Sequence, residues 1–176
     1  SGRSGYEPAF EGGRPSDHTG GYRQKTGSER REDMMIALGS DHGGYDLKVQ
    51  VMKHLEERGI EYKDFGCFDK SSCDYPEFGQ AAARAVAEGA CEKGIVICTT
   101  GIGISIAANK IRGVRCALCT DAYLAKMTRL HNDANVLAMG GGFTGPNLAM
   151  EIVDAFLDTE FSKGENHIRR IAKIES

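Results

Sequence analysis

No apolar run in this sequence approaches the roughly 20 residues that cross a bilayer, and its first residues lack the apolar stretch of a secretory signal. The expected compartment is the cytoplasm, with no membrane partner. An excess of one charge is missing too. Against 25 Asp and Glu stand 22 Lys and Arg, the net charge is -3, and the basic residues are scattered. That pattern leaves no electrostatic footprint for nucleic acid, while a small anionic ligand stays open. Cysteine is not scarce, with six among 176 residues, but a chain of this length with 40% hydrophobic content needs no disulfide framework. Free thiols are expected. Cys116 and Cys119 have redox-motif spacing, yet they lie in an apolar run that reads as a strand. Positions three apart in a strand face opposite sides, so core packing is the expected role rather than metal binding or pairing.

Residues 1–33 are rich in Gly, Ser, Arg and Glu, with Tyr6, Phe10 and Tyr22 as isolated aromatics and no sustained periodicity. This composition predicts a flexible N-terminal extension. The remaining stretch, 34–176, is long enough for one globular domain that buries roughly two thirds of its unfolded surface. Strand candidates at 35–38, 62–65, 95–98, 116–119 and 136–139 alternate with segments whose apolar residues recur three or four apart. The first such segment carries Leu47, Val51 and Leu55 and stops at Gly59, a natural left-handed cap. The last long one opens at Pro146, suited to a first helical turn, and carries Leu148, Ile152 and Phe156. A short basic helix is expected over 167–174. Alternating units of this length predict an α/β fold: a three-layer α/β/α, Rossmann-like domain with a five-stranded parallel sheet in the order 2-1-3-4-5. Ligands bind such sheets beyond the carboxyl ends of the strands, where the strand order reverses. The loops at 39–44 and 99–103 should therefore meet.

The first loop reads Gly39-Ser40-Asp41-His42-Gly43-Gly44. Asp41 and His42 can polarise hydroxyls there, or Asp41 can cap the next helix while His42 is simply solvated. The second reads Cys98-Thr99-Thr100-Gly101-Ile102-Gly103-Ile104-Ser105. Its glycines allow close backbone approach, and the amides opening the next helix favour a phosphate or an enediolate. Three sharper motifs fail here. A dinucleotide fingerprint needs glycine at Ile106, a P-loop needs Gly-Lys-Ser/Thr, and a cysteine-phosphatase loop needs arginine at Ile104. Cys98, at the mouth of the loop, is either a base or nucleophile or a core residue closing a buried strand. His131, in Leu130-His131-Asn132-Asp133, suits general acid–base work or a helix C-terminal dipole. Tyr75, in Asp74-Tyr75-Pro76, can reach the same crevice or pack. Cys98 and His131 together favour an enzyme over a noncatalytic binding protein, which would keep the anion loop without needing both. A thiol redox protein would need a resolving cysteine near Cys98, and residues 99 and 100 are both threonine.

Taken together, Asp41-His42-Gly43, Asp74-Tyr75-Pro76, Ile97-Cys98, the run from Thr100 through Lys110 and His131-Asn132-Asp133-Ala134-Asn135 resemble the type B ribose-5-phosphate isomerases. That family is related to the galactose-6-phosphate isomerases, and the resemblance spans everything after Asp33. It implies a sugar-phosphate isomerase needing no cofactor and no metal, acting on ribose 5-phosphate by a cysteine-based enediol mechanism. Galactose 6-phosphate, allose 6-phosphate and free sugars are the alternative substrates. It further implies a homodimer or tetramer whose active sites are completed by the partner's C-terminal segment. By the same resemblance Cys98 is the base, and Thr100 with the amides of Gly101, Gly103 and Ser105 stabilises the enediolate. His131 with Asp41 opens the sugar ring, Asn132 and Tyr75 hold hydroxyls, and His42 and Arg170 hold phosphate. Three positions depart from the family pattern. Thr99 replaces a usual glycine, and Gly142 and Asn166 stand where arginines are expected.

Overall fold

The computed structural model describes residues 34–176; the expected flexible extension, 1–33, lies outside them. Aliphatic runs become the strands β1 (Met35–Ser40), β2 (Glu61–Asp64), β3 (Lys93–Cys98), β4 (Cys116–Leu118) and β5 (Val136–Gly140). Between and after them lie the helices α1 (Tyr45–Glu57), α2 (Tyr75–Ala87), α3 (Ile102–Asn109), α4 (Ala122–Asn132), α5 (Pro146–Asp158) and α6 (Glu165–Ile174). All strand pairs are parallel. The expected fold class therefore stands.

The strand order is β2-β1-β3-β5-β4, so the last two strands exchange the places expected from the sequence. Burial explains the exchange. Every residue of β3 and of β5 is buried, whereas β4 has three residues, each only half-buried. A wholly apolar strand belongs in the sheet interior, and the short half-buried one serves as an edge. The reversal is unaffected, because β1 pairs with β2 on one side and β3 on the other.

Alternation along β3 divides the core. Ile95 and Ile97 join one cluster with Leu55 of α1 and Ile152 and Phe156 of α5. Val96 and Cys98 join the other, with Ala82 and Val86 of α2 and Ile104 of α3. Each such aliphatic side chain contributes about 1.5–3 kcal/mol when wholly buried. In α1 the stripe Leu47, Val51 and Leu55 is buried as expected, and the helix ends before Gly59, whose φ of 67° is left-handed. In α5 Ile152 and Phe156 are buried, while Leu148 is more than a third exposed and Ala149 takes the inward position. All six cysteines are free. Cys119 is buried and Cys116 half-buried, and desolvation pushes both thiols up, Cys119 to about 11, which suits packing rather than reactivity. No helix among the described residues is long and apolar enough to cross a membrane.

Candidate active site

The loops after β1 and β3 meet beyond the carboxyl ends of the strands. A methyl group placed on Gly43 would lie 2.0 Å from the Thr99 Oγ1, and one on Gly44 would lie 2.2 Å from the Ile97 carbonyl oxygen. In the first loop Asp41 is buried, and its Oδ1 accepts from the Gly44 amide at 3.0 Å. It therefore shapes the turn into α1. His42 is exposed, and its Nδ1 accepts from the Cys73 amide at 3.3 Å. With Nδ1 an acceptor, the neutral ring carries its proton on Nε2 and offers that donor outward.

In the second loop Cys98 is 4% exposed and its sulfur accepts from the Gly101 amide at 3.1 Å. Gly101 opens α3 with φ 77°, a conformation that costs other residues a steric clash. The Thr100 hydroxyl accepts from the Ile102 amide at 3.1 Å and tightens the same turn. Ser105 is spent inside the helix: its hydroxyl donates to the Ile102 carbonyl at 2.7 Å and its amide to the Gly101 carbonyl at 3.2 Å. The amides of Gly103 and Ile104 have no partner among the described residues, as the first turn of a helix allows. Tyr75 reaches this loop, since a methyl group on Gly103 would lie 2.5 Å from its ring and 2.7 Å from its hydroxyl.

His131, Asn132 and Arg170 form a second group. The His131 ring stacks on His167 with centroids 4.5 Å apart and planes at 17°. Desolvation, with the adjacent His131 and Arg170 charges, holds His167 below the ordinary histidine range. Asn132 Oδ1 accepts from the Thr128 hydroxyl at 3.0 Å, and its carbonyl accepts from Arg115 Nε at 2.9 Å. Arg115 also pairs with Glu175 at 2.7 Å beyond the end of α6. Arg170 is exposed on α6. A groove of about 670 Å³ runs beside this group, touching Thr128, Asn132 and Glu175 but not Cys98.

The two groups do not meet within one chain. α4 leaves the carboxyl end of β4 and returns to the amino end of β5, so His131 and Asn132, in its last turn, lie at the foot of the sheet. Cys98 closes β3 at the opposite end, beside Gly140. The five residues of β5 separate those ends by roughly 16 Å. The His131–His167 stack was not foreseen from the sequence. A histidine in each of two helices was the available signal, with β5 and α5 between them in the sequence. Among the described residues no three His, Cys, Asp or Glu side chains converge as metal ligands.

An acceptor sulfur beside unpartnered helix-opening amides suits movement of a proton next to a carbonyl, the chemistry of an aldose–ketose isomerase. Comparison with known proteins gives the same class. The sequence profile of the family described as Ribose/Galactose Isomerase matches residues 36–174, and the chain belongs to that family. Ribose-5-phosphate isomerase B of Escherichia coli is 46% identical over 139 residues, covering 79% of this chain and 93% of that protein. The galactose-6-phosphate isomerase subunit LacB of Clostridium acetobutylicum is 40% identical over 142 residues, 81% of this chain and 82% of that protein. The structure of ribose-5-phosphate isomerase B from Clostridium thermocellum superposes with a TM-score of 0.79 at 53% identity, covering 81% of this chain and 95% of that one.

Proposed function

We propose that this enzyme interconverts ribose 5-phosphate and ribulose 5-phosphate in a site built by two copies of the chain. The observation that carries the reading is the Cys98 sulfur, set against the glycine loop where helix-opening amides have no protein partner. Relatives that carry the name ribose-5-phosphate isomerase B support this choice of substrate.

In the forward direction the Cys98 thiolate removes the C2 proton of the open-chain aldose. The electron pair forms the C1–C2 double bond, and the C1 carbonyl oxygen becomes an enediolate oxygen held by the Gly103 and Ile104 amides near Thr100. The O2 proton then passes to the C1 oxygen, C2 becomes the ketone as the C1–C2 double bond opens, and C1 takes back the proton that the Cys98 thiol carried. Before this, the furanose must open. His131 and Asp41 move a proton from the anomeric hydroxyl to the ring oxygen as the C1–O4 bond breaks. Tyr75 and Asn132 hold hydroxyls, and His42 and Arg170 hold the phosphate. Because His131, Asn132 and Arg170 lie at the foot of their own sheet, the copies that serve one Cys98 come from the partner in a homodimer, alone or paired into a tetramer.

Two measurements test this. Among pentose and hexose phosphates, kcat/KM should be highest for ribose 5-phosphate and far lower for the free sugar; equal efficiency on free ribose would remove phosphate from the recognition. Cys98→Ala and His131→Ala subunits should each be nearly inactive alone. Mixed and allowed to exchange, half of all dimers are hybrid, each with one intact and one doubly defective site, so about a quarter of wild-type activity returns. No recovery after demonstrated exchange would show that the site is not shared in this way.

A further inference from the structure

We infer that Thr99 is a substrate-binding residue whose hydroxyl donates a hydrogen bond to the phosphate of the sugar phosphate. The inference rests on the function proposed above and assigns a contact within that site.

Consecutive residues at a strand end face opposite ways. Cys98 turns its sulfur toward the Gly101 amide and the α2–α3 side of the sheet. Thr99 turns toward the loops that follow β1 and β5. Its Oγ1 lies against Gly43, and its Cγ2 would lie 3.0 Å from a methyl group on Gly142. Both branches of the side chain are thus fixed by backbone, and a β-branched residue has few rotamers to lose when clamped this way.

The hydroxyl held there has no hydrogen-bond partner among the described residues, and Thr99 is exposed. The surrounding wall has little else to offer. Gly140, Gly141 and Gly142 have no side chains, and the amides that follow β5 are already used. Gly141 donates to the Cys98 carbonyl at 2.8 Å, and Gly142 to the Thr99 carbonyl at 2.9 Å. Phe143 and Thr144 donate to the Gly140 carbonyl at 3.1 and 2.9 Å, and Asp41 to the Ile97 carbonyl at 3.2 Å. Thr99 therefore supplies a side-chain donor on this wall.

The geometry also selects which part of the substrate it meets. C1 and C2 must lie over the Cys98 sulfur, on the other side of the strand end. The far end of the sugar, which carries the phosphate, extends away from them toward the side on which Thr99 lies.

Three chains decide the matter: wild type, Thr99→Val and Thr99→Ser. Valine keeps the branched shape between Gly43 and Gly142 and removes only the hydroxyl; serine keeps the hydroxyl and removes the methyl. A hydrogen bond to a charged group predicts that Thr99→Val raises KM for ribose 5-phosphate about 10- to 100-fold. The inhibition constant of inorganic phosphate should rise in parallel, with kcat within about threefold of wild type. Thr99→Ser should stay within about threefold on all three. Unchanged phosphate inhibition in Thr99→Val overturns the inference, as does a loss in kcat at constant KM or an equal loss in Thr99→Ser. Calorimetric titration with inorganic phosphate keeps the two readings apart. A wild type that binds phosphate but does not isomerise ribose 5-phosphate refutes the proposed function, while weaker phosphate binding by Thr99→Val still upholds the contact.

Discussion

Cys98→Ala is expected to lower kcat on ribose 5-phosphate by at least about a hundredfold, since a positioned general base contributes factors of roughly 100 to 10,000. The fold should survive, because alanine fits a strand end where only a sulfur is lost. What the substitution leaves behind is the Gly101 amide, which donates to that sulfur. Cys98→Ser restores an acceptor there, and comparing the two separates turn geometry from proton transfer. A hydroxyl is a far weaker base than a thiolate, so serine should recover thermal stability without recovering turnover. Solvent exchange of the substrate C2 proton, followed by NMR, should slow in step with kcat in both variants. Turnover within tenfold of wild type in Cys98→Ala would remove this residue from the role of base.

The second large effect is expected at Gly101. Gly101→Ala should destabilise the protein by about 2–5 kcal/mol and abolish most activity. Two costs combine. A φ of 77° costs an L-residue about 1–2 kcal/mol. The new methyl would also lie 2.7 Å from the Met139 carbonyl carbon and 2.9 Å from the Gly140 nitrogen, atoms of the β5 backbone that cannot step aside. Overpacking of that kind adds about 1–3 kcal/mol. Gly59→Ala is the control, because Gly59 has φ 67° and open space around its Cα. It should show the conformational cost alone, about 1–2 kcal/mol. Chemical denaturation of both variants gives the comparison. If the two lose equal stability, contact with β5 is not what fixes the loop.

Much of this was legible in the sequence because the signals were local. The apolar runs, the stop at Gly59 and the proline opening α5 each depend on neighbours within a few residues, and the rule of strand-order reversal then located the loops that meet. What was not legible depends on distant partners. The runs at 116–119 and 136–139 look alike in composition, and only their lengths and burial in the sheet decide which is interior. Lys48 is the clearest case. It sits between Leu47 and Val49 in a helical pattern and reads as solvated, yet it is completely buried. Its ammonium reaches Asp64 at 2.8 Å and the Cys67 carbonyl, and lies 5.5 and 5.7 Å from the centres of the Tyr45 and Phe68 rings. Asp64, Cys67 and Phe68 lie on a later stretch of chain, so no window around residue 48 contains the answer. That His131 and Asn132 group with Arg170 rather than with Cys98 was equally hidden, because it follows from the direction of α4 rather than from any residue type.

That division carries an evolutionary consequence. With roughly the length of β5 between them, the end that holds Cys98 and the end that holds His131 are far enough apart for the stability effects of mutations to add rather than interact. Within one copy each end can gain or lose stability on its own, but in the shared site proposed above each end works against the other end of the partner, so their activities stay coupled. Thr99 stands at one end and Asn166 at the other, so the chain's departures from the family pattern lie far apart in one copy and face one shared site in the dimer proposed above.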